Sequence, residues 1–283
     1  MSDALSLPSI FDAFFDDAAI FPPGRAPLDR AVHDYIARRT TPLGRTVGPL
    51  LLPVDKLDDA AAMVEAAGSD PVRVGVVVPA GGLGTALTVA DRVAPWIQVN
   101  GLELKTDDVD PARVIADGSA LTDRFDVHVE LSVAHIRAGM LDRFAGTDVR
   151  LKVRTGGLVA AAFPTVDDLA DVLTAAVAVR RSFKLTAGLH RAVRYTDDST
   201  GFVHHGFLNI AVAAGDALRG ADAPAIAETL AERDGDLLAQ RFRHNGDQWR
   251  SMFESFGTCS IVEPLDTLAE LDLIPNTASV TGS

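Results

Sequence analysis

Cysteine is almost absent: Cys259 is the single one in 283 residues. No internal disulfide can form, and a reducing cytoplasm suits such a chain. Long apolar runs are missing too. The most apolar stretch, 157–179, is interrupted by Asp167, Asp168 and Asp171, which excludes an ordinary membrane-spanning helix. No positive charge precedes the first apolar residues, so the N-terminus does not read as a signal peptide. Positive charge is short overall, with 26 Lys and Arg against 39 Asp and Glu and a formal net charge of -13. An acidic surface repels phosphate backbones, so nucleic acid is not an expected partner. No Gly- or Ser-rich linker divides the chain. Lysine is the scarcest basic residue: only Lys56, Lys105, Lys152 and Lys184 occur, the rest being arginine. A position that keeps lysine where arginine is the habit is a candidate for what arginine cannot do, namely lose a proton and attack a carbonyl.

Short β-branched runs are present in quantity and alternate with longer amphipathic stretches. The runs at 18–21, 48–54, 72–79, 97–105, 125–131, 149–155, 183–189 and roughly 256–261 read as eight strands. The stretches near 28–39, 57–67, 86–93, 111–121, 133–144 and 166–180 read as helices between them. Eight strands in strict alternation with helices predict a single (β/α)8 TIM barrel over 1–283, with a doubly wound open sheet as the other arrangement. The segment 190–250 is long for one strand-to-helix connection and is expected to hold the seventh helix plus a helical insertion. Its helices are expected at 207–218 and 224–242, with Pro224 in a first turn. The polar tail at about 276–283 is expected to fray.

Side chains alternate between the two faces of a strand, and the outer face of a barrel strand packs on helices. In the sixth strand Val149, Leu151 and Val153 share one parity, and Arg150, Lys152 and Arg154 the other. The fourth, fifth and seventh strands repeat the pattern. The inward set is therefore Glu103, Lys105, His128, Glu130, Lys152, Arg154, Lys184 and His190. Buried charge is costly unless paired, so a structural ion-pair network competes with an active site as the explanation. As chemistry, two lysines on adjacent strands suggest a Schiff base. A second cation beside Lys152, either Lys184 or Arg154, is expected to lower its pKa and free the amine, with Glu130 or Glu103 moving protons.

These strands resemble, in order, those of deoxyribose-phosphate aldolases and the wider class I aldolase barrels over about half the chain. Asn100-Gly101-Leu102-Glu103-Leu104-Lys105 is similar to that family's Asn-x-Gly-x-Leu-Lys stretch, and the strand holding His128 and Glu130 to its glutamate-bearing strand. Lys152-Val153-Arg154-Thr155-Gly156 resembles Lys-Thr-Ser-Thr-Gly, whose lysine forms the Schiff base. Pro164-Thr165-Val166-Asp167-Asp168 resembles the Thr-Val-Glu-Asp start of the next helix. Lys184-Leu185-Thr186-Ala187-Gly188 resembles the Lys-x-x-Gly-Gly stretch, and Gly257-Thr258-Cys259-Ser260 the Gly-x-Ser-Ser turn that holds phosphate. Strand parity and the resemblance together give Lys152, Lys184, Glu130, Glu103 and Lys105 as expected catalytic groups, and Arg154, His128, Thr186, Gly188, His190, Gly257, Thr258 and Ser260 as expected substrate contacts, with His128 reading equally well as a hydrogen-bonded interior residue. It departs where the family's strand-four aspartate falls near Trp96, where Arg154 replaces a small hydroxyl, where Ala187 replaces a glycine, and in the long segment after the seventh strand.

The expected function is a lyase or aldolase acting on a small carbonyl compound, phosphorylated or not, without cofactor or metal. Two alternatives stand beside it. One is a Mg²⁺-assisted enolising or decarboxylating barrel with Glu103 and Glu130 as ligands. The other is a non-catalytic barrel that clamps an anionic metabolite. A homo-oligomer is compatible with the sequence. Of the weaker signals, 81–84 reads as a strand-to-helix turn and Cys259 as a small buried filler. His204 and His205 read as a mouth or surface pair, Asp16 and Asp17 as a strand start facing solvent, and Trp96 and Trp249 as packing residues.

Overall fold

The computed structural model describes residues 7–276. Eight parallel strands close into a barrel, and the protein is a (β/α)8 TIM barrel. They are β1 (Phe15–Asp17), β2 (Val47–Pro53), β3 (Val72–Val78), β4 (Ile97–Lys105), β5 (Asp126–Glu130), β6 (Arg150–Arg154), β7 (Phe183–Thr186) and β10 (Phe253–Thr258), with β1 seated between β10 and β2. Two further strands, β8 (Tyr195–Thr196) and β9 (Val203–His204), form an antiparallel hairpin outside the barrel. The helices are α1 (Leu28–Arg38), α2 (Leu57–Ala66), α3 (Leu83–Val93), α4 (Pro111–Ser119), α5 (Val133–Arg137), α6 (Val166–Ala178), α7 (Phe207–Leu218), α8 (Ala223–Ala231), α9 (Gly235–Asn245) and α10 (Val262–Glu270). Among them none is long and apolar enough to cross a membrane.

The outer faces of the strands carry the core. Val72, Val74, Val76 and Val78 of β3, and Leu151 and Val153 of β6, are buried between sheet and helices. Helix starts follow local chemistry. Thr165 and Asp168 form a capping box at α6, while Asp110 caps α4 with Pro111 in its first turn. Asp222 likewise caps α8, with Pro224 in the first turn as expected. Gly81 and Gly82 make the turn into α3, Gly81 with positive φ.

Several expected boundaries moved, each for a visible reason. The first strand lies three residues earlier, because the chain turns back at Ala18, where Phe21 N–H donates to Ala18 O. The last barrel strand likewise starts and ends three residues earlier than 256–261. The helix expected over 133–144 stops at Arg137, since Gly139 takes a left-handed φ of 80° before a short 3₁₀ turn. The seventh strand ends at Thr186, because Ala187 and Gly188 both have positive φ. The segment after it begins with the β8–β9 hairpin, not a helix. The helix expected over 224–242 is two, broken where Asn209 Nδ2 donates to Thr229 O and Glu232 O and where Asp234 caps α9. The expected fraying beyond 276 lies outside the described residues.

A three-residue β1 needs outside support. Phe14 supplies it, with ring centroids 5.0 Å from Phe253, 5.3 Å from Phe256 and 5.2 Å from the buried Trp249. Such edge-on pairs contribute about 0.5–1.5 kcal/mol each beyond area burial. This seam fixes the strand that carries Asp16.

Candidate active site

The inward faces of β1, β4, β5, β6 and β7 meet in a continuous chain of ion pairs. Asp16 Oδ2 lies 2.6 Å from Lys184 Nζ, and Lys184 donates to Glu103 Oε1. Glu103 Oε2 lies 2.7 Å from Lys152 Nζ, and Glu130 Oε2 lies 2.8 Å from it on the other side. Glu130 Oε1 is 3.2 Å from Arg154, which reaches the mouth and is 43% exposed. Strand register places these groups, with Lys105 opposite Glu130, Glu130 opposite Lys152, and Lys152 opposite Lys184. Asp16 fits because residue 48 is glycine: a Cβ there would come within 2.0 Å of the Asp16 carboxylate. The strand ends are drawn together at Gly156, whose missing Cβ would fall 2.7 Å from Gly188 Cα.

The electrostatics differ from the sequence expectation. Lys152 and Lys184 were expected to repel, but Glu103 stands between them and compensates both. For Lys184, burial alone would lower its pKa, but Asp16 and Glu103 overcome it and hold it above its usual value. Burial would raise Glu103, yet Lys152 and Lys184 bring it well below the carboxylate range. Glu130 behaves likewise, with Lys152 and Arg154 outweighing burial. Asp16 goes the other way: burial raises it despite Lys184. Glu103 Oε2 and Glu130 Oε2 are buried at ion-pair distance from Lys152, but neither accepts a well-aligned hydrogen bond.

Above this floor lies a cavity of about 650 Å³ at the C-terminal mouth of the barrel. Glu103, Lys105, Lys152, Arg154, Thr186, Gly188, His190 and Gly257 line it, and Lys184 and Glu130 stand behind its wall. Other expected site residues fall elsewhere. His128 donates to or accepts from Glu254 at 3.0 Å, and Glu254 also bonds Ser182 and Arg150. This is a separate polar cluster among residues that precede Glu130 on β5, Lys152 on β6 and Lys184 on β7. There the His128 and Arg150 contacts outweigh burial and hold Glu254 down at about 2. Thr258 is buried with its hydroxyl on Ser260 O, and Ser260 Oγ accepts from Glu263 N–H at the start of α10. Neither hydroxyl lines the cavity, so the phosphate grip that the resemblance implied is not built there.

Two weaker expectations are overturned, and a third holds for one residue of its pair: His204 lines the mouth and His205 does not. Asp16 and Asp17 are 1% and 2% exposed, because β1 begins at Phe15 and sends Asp16 inward and Asp17 to Arg38 of α1. Cys259 is half-buried and lines the cavity, its Sγ 3.8 Å from His190 Nδ1. His204 and His205 are both buried: His204 Nδ1 contacts Gly188 O at 2.9 Å and His205 Nε2 contacts Pro164 O at 2.8 Å. They rivet the hairpin onto the turns after β7 and β6.

Sequence reasoning also missed the hairpin wall itself, comprising Tyr195, Phe202 and His204 packed with Phe163. The signal for it was faint, since each of these two strands has only two residues. Among the described residues no cluster of three or more His, Cys, Asp or Glu is arranged to hold a metal ion. Glu103 and Glu130, the pair considered for Mg²⁺, both face the Lys152 ammonium. Compared with known proteins, the chain matches no family model and no curated sequence.

Proposed function

We propose that this barrel is a lyase of the aldolase type that binds a small carbonyl compound as a Schiff base on Lys152. The observation that carries the reading is the position of Lys152. Its side chain is 2% exposed and borders the cavity, and its amine lies between two carboxylate oxygens with unused acceptor capacity. Lys184, the other inward lysine, stands behind the wall with its charge held by Asp16 and Glu103.

The chemistry conserves charge at this nitrogen. An ammonium plus a carbonyl becomes a protonated iminium plus water, so the carboxylates that stabilise the starting cation also stabilise the product cation. Glu130 is the better proton acceptor, because its second partner, Arg154, is half in solvent, whereas Glu103 is gripped by two lysines. Glu130 takes a proton from Lys152, the amine attacks and the proton goes on to the carbinolamine oxygen; a second proton follows from the nitrogen by the same route, and the oxygen leaves as water with formation of the iminium. In the cleavage direction a β-hydroxyl gives up its proton to Glu130, the Cα–Cβ bond breaks, the Cβ fragment leaves as an aldehyde, and the bond's electrons pass to the iminium nitrogen as an enamine.

The test is borohydride reduction in the presence of small aldehydes and 2-oxo acids, with the adduct mapped by mass spectrometry. The adduct is expected on Lys152. Lys152→Arg should abolish it and Lys184→Arg should leave part of it. Loss in the Lys184 variant alone reverses the assignment, and no adduct with any carbonyl ends it. The full compensation of the network favours, as a second reading, a non-catalytic anion-binding barrel, which predicts saturable binding without turnover and Lys→Arg variants that still bind.

A further inference from the structure

Two independent features of the cavity bear on what fills it. The first is a charge imbalance. In the floor three carboxylates, Asp16, Glu103 and Glu130, alternate with three cations, Lys184, Lys152 and Arg154. Lys105 adds a fourth cation to the same wall. Its ammonium has no carboxylate within ion-pair distance among the described residues, although its field helps to lower Glu130. A cation facing a partly enclosed cavity without a counterion is favoured by a ligand carrying one negative charge.

The second feature is an aromatic wall opposite. The His204 and Phe163 ring centroids are 4.7 Å apart, Phe163 and Phe202 are 5.5 Å apart, and Tyr195 stacks on His204 at 4.9 Å and 22°. Burial keeps His204 below its usual pKa, so this surface is uncharged at neutral pH. The hairpin loop carries Asp197 and Asp198; Asp197, the one that lines the cavity, is satisfied by Ser199 and Thr200 of its own turn. Past β10, where a phosphate was expected, Glu263 at the start of α10 lines the cavity and already pairs with His190 and Arg191, each at 3.5 Å, so neither cation is left for a phosphate.

We infer that the ligand is an unphosphorylated 2-oxo acid with an apolar, planar substituent. Its carboxylate pairs with Lys105, two strands from Lys152 on the same cavity wall, and its ring lies against Phe163, Phe202, His204 and Tyr195. The position of the keto group rests on the Schiff-base reading; the carboxylate and ring subsites do not.

The test measures equilibrium binding of four probes by calorimetry, and cyanoborohydride adducts by mass spectrometry, on the same protein. The probes are phenylpyruvate, pyruvate, phenylacetaldehyde and glyceraldehyde 3-phosphate. Phenylpyruvate should bind tightest, with loss of either the ring or the carboxylate costing about tenfold or more. Lys105→Gln should weaken phenylpyruvate and pyruvate by about tenfold and leave phenylacetaldehyde unchanged. Phe202→Ala should weaken the two ring-bearing probes and leave pyruvate unchanged. Phenylpyruvate that binds with this dependence but gives no adduct on Lys152 keeps the inference and removes the Schiff base. Adducts on Lys152 from all four probes, with glyceraldehyde 3-phosphate binding as tightly as phenylpyruvate, do the reverse. Absence of binding by phenylpyruvate, or binding indifferent to Lys105, overturns the inference outright.

Discussion

Glu103→Gln is the most informative perturbation of the floor, because one carboxylate serves two lysines. The side chain is 2% exposed and the change is nearly isosteric, so packing is preserved while one buried charge is removed. At 2.7 Å and an effective dielectric of about 20, the attraction to Lys152 alone is about 6 kcal/mol. The desolvation of a buried carboxylate offsets much of that, and breaking a buried pair by removing one partner typically costs about 3–5 kcal/mol. The variant should lose stability by that amount in urea unfolding at pH 7. The pH dependence carries a second signature. Glu103 is depressed in the folded state, so its contribution is present above the unfolded carboxylate pKa and is lost as pH falls below it. Lys184 is raised, so its contribution is full below the unfolded lysine value near about 10.4 and is lost above it. The difference between wild type and variant should therefore be widest between about pH 5 and 9 and narrow on both sides. A loss under about 1 kcal/mol, or a difference flat from pH 3 to 10, would refute the account of the floor as a coupled network.

Two histidines give separate tests. Burial holds His205 down at about 4, against about 6.5 unfolded, so the unfolded chain takes up the proton first. Stability should then fall by about 3 kcal/mol as pH drops from 6.5 to 4, and this component of the urea-unfolding profile should vanish in His205→Asn. Burial alone would lower His190, but contacts with Cys259 and Glu263 raise it to about 9. Its stabilising contribution should be full below about 6.5 and lost as pH rises through 9, and its ring resonances in NMR should titrate near 9 and not near 6.5.

The barrel and all of its floor but Asp16 were legible in the sequence because the fourth to seventh strands alternate cleanly. Leu151 and Val153 must pack on helices, and that parity sends Lys152 and Lys184 inward. Asp16 was hidden because a strand of three residues has too little pattern to show its parity, and its phenylalanine neighbours read equally well as a loop closing on the core. Glu254 was hidden by a register shift between Phe253 and Ser255, where Glu254 bonds His128 while the next residue, Ser255, bonds Asp16. The interposed Glu103 could not be inferred either. Adjacent strands said that the two lysines were neighbours, but only side-chain positions say what lies between their ammonium groups.

That interposition changes what controls the amine. Two adjacent cations would have made Lys152 neutral before any substrate arrived. Two flanking carboxylates stand in their place and give a proton leaving Lys152 an acceptor on either side. Glu130, depressed below the usual carboxylate range by Lys152 and Arg154 against the pull of burial, stays ionised through neutral and mildly acidic pH. Because the transfer is internal, adduct formation on Lys152 in the wild type should change little between pH 6 and 8. In Glu130→Gln the proton has to leave to hydroxide or buffer. The trapping rate should then be lower at pH 6 and rise by about tenfold per pH unit. The same measurement on Arg154→Gln should retain the flat profile, since Arg154 tunes Glu130 without taking the proton. A wild-type rate that climbs steeply with pH, together with a Glu130→Gln profile that matches it, would remove Glu130 from the proton path and leave it to Glu103, the other carboxylate at ion-pair distance from Lys152.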